Sequence, residues 1–359
     1  MRFELISARL KRPLCLLVLC ALAVGERLAA ETFVLPPADV DLVGTVQYTE
    51  ARPEETLLDI ARRHGLGYED MIRANPGVDP WLPGEGTEIL LPTRYVLPQV
   101  PRRGIVLNLA EYRMYYFPEP KAGSPALVMT WPMSIGRMDW ATPLGMTRIT
   151  QKEKNPNWYP PESVRAEHLA DGDPLPRVVP PGPKNPLGAY KMRLDIPGYL
   201  IHGTNRPAGV GMRVTHGCIR MYPEDIEFLF GQVSVNTPVR IINEPVKIGW
   251  DGDELVLEVH RVLEVVETMD STESGDGLPV HDAVDVSVND VADPAVAADV
   301  LPPAKDALTS LTEQFVAATS NRAGELDWEQ AERALEQASG VPAPIGRGTK
   351  NAATSAASY

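Results

Sequence analysis

Residues 201–221 read IHGTNRPAGVGMRVTHGCIRM, from Ile201 to Met221. This stretch sets His202, Gly203, His216, Gly217, Cys218 and Arg220 between apolar segments. A strand runs into His202, a Gly-rich loop follows, and Cys218 lies just before a short helix. A thiol needs a base to supply the attacking thiolate, and imidazole is the usual one. Two histidines and an arginine stand close in sequence to Cys218, whereas an inert core thiol needs no such company. Gly217 allows close backbone approach, and the N–H groups around it are candidate donors to a developing oxyanion. The chemistry expected is acyl transfer, with Cys218 as nucleophile and His202 as base. The loop between His202 and Cys218 is short enough for the two to meet across it.

Outward from this stretch, the flanking chain reads as a mainly β (α+β) domain. Ile105–Leu109, Arg113–Phe117, Leu127–Ile135, Met146–Thr150, Leu187–Met192, Tyr199–His202 and Val239–Ile242 are short apolar runs separated by turn signals. Pro132 demotes part of the third run to an edge or bulge. Pro223–Phe230 predicts a helix, with Pro223 at its first position, Glu224 and Asp225 in its first turn and Gly231 as its stop. Residues 154–186 are crowded with prolines and show little periodicity, which predicts a long loop acting as a lid. Trp158 and Tyr159 sit in it, and Tyr190 just beyond it is a candidate cleft residue.

The signature His202-Gly203-Thr204, a Gly-containing loop, then Thr215-His216-Gly217-Cys218-Ile219-Arg220 resembles that of the L,D-transpeptidases with a YkuD-type catalytic domain. The resemblance covers roughly residues 103–243, including Ile135-Gly136 and Thr142-Pro143-Leu144-Gly145. It implies a β-sandwich-like catalytic fold. It implies that Cys218 is the nucleophile, that His202 donates and accepts the proton, and that the backbone carbonyl of Gly203 orients the imidazole. Gly217, His216 and Thr215 become oxyanion or support residues, and Arg220 and Tyr190 substrate-binding candidates. For Arg220 a loop-bracing role stays open beside a carboxylate-binding one. Thr215 stands where the family more often has Ser. No cofactor and no metal are called for; a zinc set drawn from His202, His216, Cys218 and His168 is the weaker alternative.

Upstream, residues 44–92 predict a βααβ unit. Leu57, Ile60 and Ala61 give helical spacing, Gly65 and Gly67 stop that helix, and Tyr68–Ala74 forms a second. Val46-Gln47-Tyr48, Thr56-Leu57, Ala74-Asn75-Pro76 and Leu82-Pro83-Gly84 resemble a LysM module, which implies binding to peptidoglycan glycan strands. Glu54-Glu55 departs from the usual Gly-Asp. Residues 31–42 read as a lead-in and 93–102 as a linker, because the latter holds Pro98 and Pro101.

Residues 244–359 predict a hairpin around Trp250-Asp251-Gly252-Asp253, an acidic linker over 264–300, and a helix from Asp327 that docks on the enzyme. The helix has an apolar stripe of Ala331, Ala334, Leu335 and Ala338 and stops at Gly340. Residues 1–30 resemble a cleavable secretory signal. Arg2, Arg9, Lys11 and Arg12 precede an apolar run from Leu14 to Val24 that is too short to span a bilayer. Cleavage removes Cys15 and Cys20 and leaves Cys218 as the sole thiol in an oxidising compartment, where it needs a role.

The 359-residue chain has a formal net charge of −14, which excludes a nucleic-acid partner, since an acidic surface gains nothing from counterion release. The whole layout resembles the periplasmic Gram-negative branch of the family. Its implied partners are peptidoglycan stem peptides and glycan strands, and its implied acyl acceptor is a second diaminopimelate or the terminal lysine of an outer-membrane lipoprotein. Release of the same thioester to water (an L,D-carboxypeptidase or amidase) and non-catalytic wall binding are the alternatives.

Overall fold

Period-2 alternation in the strands after residue 103 buries both faces of one sheet. Ile105, Leu107, Met114 and Tyr116 fall in one buried cluster, and Val106, Tyr115 and Phe117 in another. The computed structural model describes residues 31–37, 39–137, 142–263 and 306–349. The signal reading and the whole acidic linker therefore lie outside the described residues.

Among the described residues the central sheet has nine strands. From one edge they are β1 (Glu31–Val34), β8 (Leu127–Pro132), β7 (Arg113–Phe117), β6 (Gly104–Asn108), β15 (Pro238–Ile242), β10 (Gly145–Lys154), β11 (Tyr190–Leu194), β12 (Leu200–His202) and β14 (Ile219–Arg220). Most neighbours are antiparallel, but β6 with β15 and β12 with β14 are parallel. A flat sheet would hold β8 and β14 about 30 Å apart at about 4.8 Å per strand. Yet Met129 and Trp131 of β8 share a cluster with Ile201 and Ile219. Ser134, just past β8, also bridges Arg220 of β14: Ser134 N donates to Arg220 O at 2.8 Å and Arg220 N to Ser134 O at 3.1 Å. The sheet therefore curls until its far strand meets the chain leaving β8. The enclosed core is closed by α4 (Pro223–Gln232) through Ile226 and Leu229. Gly231 lies inside α4 rather than stopping it. A two-stranded parallel pair, β9 (Ile135–Gly136) with β13 (Arg213–Thr215), flanks this closure.

The βααβ unit forms as the sequence predicts. β3 (Gln47–Glu50) pairs β4 (Glu88–Leu91) around α1 (Leu57–Arg63) and α2 (Tyr68–Ala74), over a core of Leu57, Ile60, Leu66, Met71, Ile89 and Leu91. Thr56 caps α1 with a reciprocal Thr56–Asp59 capping box.

Four expectations are corrected. The lead-in is structured: β1 pairs β8 at the sheet edge, and β2 (Leu42–Gly44) pairs β5 (Arg94–Val96). β5 lies in the predicted linker, but Tyr95, Val96 and Leu97 are buried, and the prolines that suggested a linker fall after it. The Pro-rich segment holds a helix, α3 (Glu162–Ala170), which buries only Val164 and so shows no apolar stripe. The C-terminal helix docks on its own neighbours. It is α6 (Trp328–Gln337), capped by Asp327, and packs with α5 (Ala307–Thr319) on a sheet ordered β16 (Val246–Asp251), β17 (Glu254–Val259), β19 (Ala343–Gly348), β18 (Gly324–Leu326). The α6 helix ends at Ala338, which takes the left-handed conformation itself. No helix among the described residues is long and apolar enough to cross a membrane.

The βααβ unit sits against the loop between His202 and Cys218. Tyr68 N donates to Val210 O and Glu69 N to Gly211 O, each at 3.2 Å. Gly67 and Gly211 make this approach possible: a Cβ on Gly211, at φ +83°, would lie 2.4 Å from Gly67 Cα. Arg62 forks onto Glu224, Tyr222 Oη donates to Leu66 O, and Arg113 Nη2 donates to Asp70 Oδ2 at 2.7 Å.

Asp225 is buried in this region. Burial, reinforced by Glu224, pushes its carboxyl from an ordinary 3.8 up to about 8. The folded state thus keeps a proton that the unfolded chain releases between those values, so stability falls as pH rises from about 4 to about 8. Asp225→Asn is expected to match the parent near the lower limit and exceed it near the upper one, in urea denaturation at both. An equal difference at the two pH values would contradict this.

Candidate active site

Parallel pairing of β12 with β14 puts Ile201 opposite Ile219 and His202 opposite Arg220. Ile201 and Ile219 point into the curled core. By alternation Leu200, His202, Cys218 and Arg220 face the other way. There Leu200 and Cys218 cluster with Trp158, Val164 and Leu187, and with partly buried Leu175 and Val179. All but Leu200, Cys218 and Leu187 come from the Pro-rich segment, which therefore lies over the thiol. That segment is braced by a Trp158–Val179 bridge and by buried Asn185, whose Nδ2 donates to Pro156 O at 2.8 Å. Cys218 and His202 are each only 5% exposed.

The chain entering Cys218 is a tight turn. Thr215 Oγ1 donates to the Cys218 carbonyl at 2.6 Å, and Gly217 adopts φ +91°. Thr142 Oγ1 donates to the Gly217 carbonyl at 2.8 Å. The peptide between Gly217 and Cys218 is planar, so fixing its oxygen also fixes the direction of the Cys218 N–H. The Cys218 thiol donates to Gly198 O at 3.6 Å.

His202 Nδ1 donates to the Gly203 carbonyl at 2.7 Å. With the proton held there, Nε2 carries a lone pair and is ready to accept. Gly203 is confined, because a Cβ there would meet Ile226 at 3.1 Å. Burial, and after it the Arg220 guanidinium, lowers the imidazole from 6.5 to about 3, against the opposing pull of the Gly203 bond. The ring is therefore neutral at ordinary pH, and a pre-formed imidazolium–thiolate pair is disfavoured.

The Arg220 backbone pairs Ser134, and its Nη1 lies 3.5 Å from where a Gly209 Cβ would sit, so the side chain lies under the loop. Ser134 Oγ donates to Gly209 O at 2.7 Å. His216 turns to the Pro-rich segment, its Nε2 donating to Glu167 Oε2 at 2.8 Å, while Arg137 Nη1 donates to Glu167 Oε1 at 2.9 Å. These two bonds, Arg137's first, hold the Glu167 carboxyl at about 2. Tyr190 does not join the group around Cys218. Its hydroxyl donates to Glu227 and its ring packs 4.9 Å from Phe230. His168 lies beside Asp173. Among the described residues, Glu111, Glu258 and His260 are the acidic and histidine side chains that converge closely, and they lie around Lys247.

Sequence reasoning missed Glu167, Thr142 and Gly198. Thr142 had a signal in its Thr-Pro-Leu-Gly run. Glu167 had none, since its helix lacks an apolar stripe.

Residues 102–241 match the L,D-transpeptidase catalytic domain, YkuD. Among curated proteins, the probable L,D-transpeptidase YcfS of Escherichia coli K12 is 42% identical over 250 residues, covering 68% of this chain and 77% of YcfS. The probable L,D-transpeptidase YbiS of the same organism is 41% identical over 243 residues, covering 67% of this chain and 78% of YbiS. ErfK/SrfK, another probable L,D-transpeptidase from that strain, is 39% identical over 256 residues, covering 68% and 80%. With these relatives, and a curled β-sheet that carries a covered cysteine and a neutral, carbonyl-anchored histidine on one face, this chain belongs to the L,D-transpeptidases of peptidoglycan synthesis.

Proposed function

We propose that Cys218 is the acyl-carrying nucleophile and that it attacks the carbonyl at the L-centre of the third stem residue, diaminopimelate, in a tetrapeptide stem. One observation carries this reading. His202 and Cys218 share one face of adjacent parallel strands, and the bond from Nδ1–H to Gly203 leaves Nε2 as the acceptor. As sulfur bonds to the carbonyl carbon, the thiol proton passes to Nε2. The carbon–nitrogen bond to D-Ala then breaks, and His202 returns the proton to the leaving amine. An acceptor amine attacks the thioester, the carbon–sulfur bond breaks, and sulfur regains a proton. The Cys218 N–H, fixed through Thr142 and Gly217, is the oxyanion donor.

The acceptor proposed is the lysine amine of an envelope lipoprotein, with a second diaminopimelate as the other candidate. The βααβ unit would act as a LysM-type glycan anchor that raises the local concentration of stems. Tyr48, Arg52, Arg63 and Glu85 rim an open groove on it. Such a substrate places the protein in the periplasm, delivered by a cleaved signal.

The test is incubation with tetrapeptide muropeptides and a lysine-ended acceptor peptide, read by mass spectrometry. Acceptor adducts with release of D-Ala are expected. Tripeptide alone would sink the transferase reading in favour of hydrolysis.

The His202 environment adds a second expectation. Because the free-enzyme imidazole titrates near 3, the acidic limb of kcat/KM should lie well below pH 5. A limb centred between pH 6 and 7 would show that the base is not this buried neutral ring.

A further inference from the structure

Glu167 belongs to the lid, whereas Arg137 and His216 belong to the floor. Arg137 follows β9 and donates its own N–H to Thr215 O at 2.8 Å, which sets it beside the turn that carries His216. Each partner takes a separate oxygen of the same carboxylate, at 2.9 and 2.8 Å. A two-donor cradle of this kind suits any carboxylate presented edge-on. His216 is two residues from Cys218, so the cradle lies within about 7 Å of chain from the nucleophile. If the scissile carbonyl lies over Cys218, a single departing residue carries its free carboxylate about one residue length, roughly 3.5 Å, further on. The side chains of the cradle and Glu167 are about a quarter to a third exposed, so one carboxylate can replace another there.

We infer that Arg137 and His216 form the binding site for the free carboxylate of the departing residue, and that Glu167 occupies that site in the closed protein as a stand-in. This rests on the stem-peptide reading above. On this view the lid is a competitive plug: α3 brings its carboxylate down onto the cradle, and Trp158, Val164, Leu175 and Val179 follow onto the thiol. Substrate must displace Glu167 to bind, so only a peptide with a free C-terminal carboxylate makes good the contact that the lid gives up. The cradle thereby selects stems ending one residue beyond the scissile bond.

Two measurements test this. Binding is read by calorimetry on the full chain carrying Cys218→Ala, with a synthetic tetrapeptide stem as free acid and as C-terminal amide. Adding Arg137→Gln is expected to weaken the acid about tenfold and leave the amide unchanged. Adding Glu167→Ala is expected to tighten the acid by a similar factor. Equal weakening of both peptides by Arg137→Gln, or weaker acid binding in Glu167→Ala, overturns the inference alone. Failure of both peptides to bind every variant overturns the stem-peptide reading and this inference with it. Separately, Glu167→Ala with Cys218 intact should be alkylated by iodoacetamide about tenfold faster than the parent, a readout that needs no peptide. An unchanged rate removes the plug.

Discussion

Cys218→Ala is expected to abolish acyl transfer, leaving no adduct and no release of D-Ala above background, in a protein that unfolds at the same temperature as the parent. The more informative variant is Cys218→Ser. A hydroxyl is a far weaker acid than a thiol, and the base available here is a poor one. Burial and Arg220 hold His202 at about 3. Such an imidazole can take a proton from sulfur as the carbon–sulfur bond forms, but it has little driving force to take one from oxygen. Serine should therefore retain no more than about one part in 10³ of the parent's kcat/KM, although its side chain fits the same turn. His202→Ala should cost about 10²–10⁴-fold by the ordinary scale of general-base catalysis. The double variant should lose little more than Cys218→Ala alone, because the two residues act as a unit. Substantial turnover by Cys218→Ser would mean that His202 is a stronger base than its buried setting allows, or that another group accepts the proton.

The centre of this site was legible because its chemistry is local. Thr215, Gly217 and Cys218 form one turn, and His202 orients itself on the very next carbonyl, so a short window holds most of the geometry. Leu57, Ile60 and Ala61 were likewise readable, since a helix of the βααβ unit buries them at its own period. What escaped depends on contacts far apart in sequence. Arg94–Val96 looks like a linker because Pro98 and Pro101 follow it. It is a strand because β2 pairs with it and buried charges of the C-terminal hairpin take its Val96 N–H and C=O. Glu167 sits on a helix with one buried side chain, which leaves no periodic trace, and its importance comes from Arg137 and His216, 30 and 49 residues away. The stripe on α6 marks a docking face, but a stripe does not name its partner. The partner proved to be the hairpin sheet, completed by β19 from beyond the helix.

The contact that joins these distant parts carries the second large effect. Lys247, fully buried, donates to Glu111 Oε1 at 2.7 Å, Glu258 Oε1 at 2.8 Å and Val96 O at 2.6 Å. Glu258 accepts from Val96 N and His260 Nε2 as well, and Glu111 from Tyr115 Oη and Asn108 Nδ2. Burial opposes charge on Lys247 and Glu258. Even so, Glu111 and Glu258 together hold Lys247 above its usual value, and Lys247 with His260 holds Glu258 below its own. Removing the cation leaves two carboxylates facing each other out of reach of water. Lys247→Met, which keeps most of the volume, should therefore cost about 3–5 kcal/mol, the scale for stripping one partner from a buried ion pair. The loss should appear in thermal unfolding as a drop of about 10 °C. The direction of the Glu258 shift adds a pH signature. Its carboxyl is depressed in the fold, so its contribution is present above the unfolded value near 4.5 and is lost as pH falls below it. In Lys247→Met that dependence should shrink, because the depressing charge is gone. Removing one of the two remaining charges by adding Glu258→Gln should recover part of the stability, since an uncharged amide no longer opposes Glu111. A single Lys247→Met variant as stable as the parent would mean that the carboxylates find water or protons at little cost, and that the C-terminal module is held to the catalytic sheet by its apolar contacts instead.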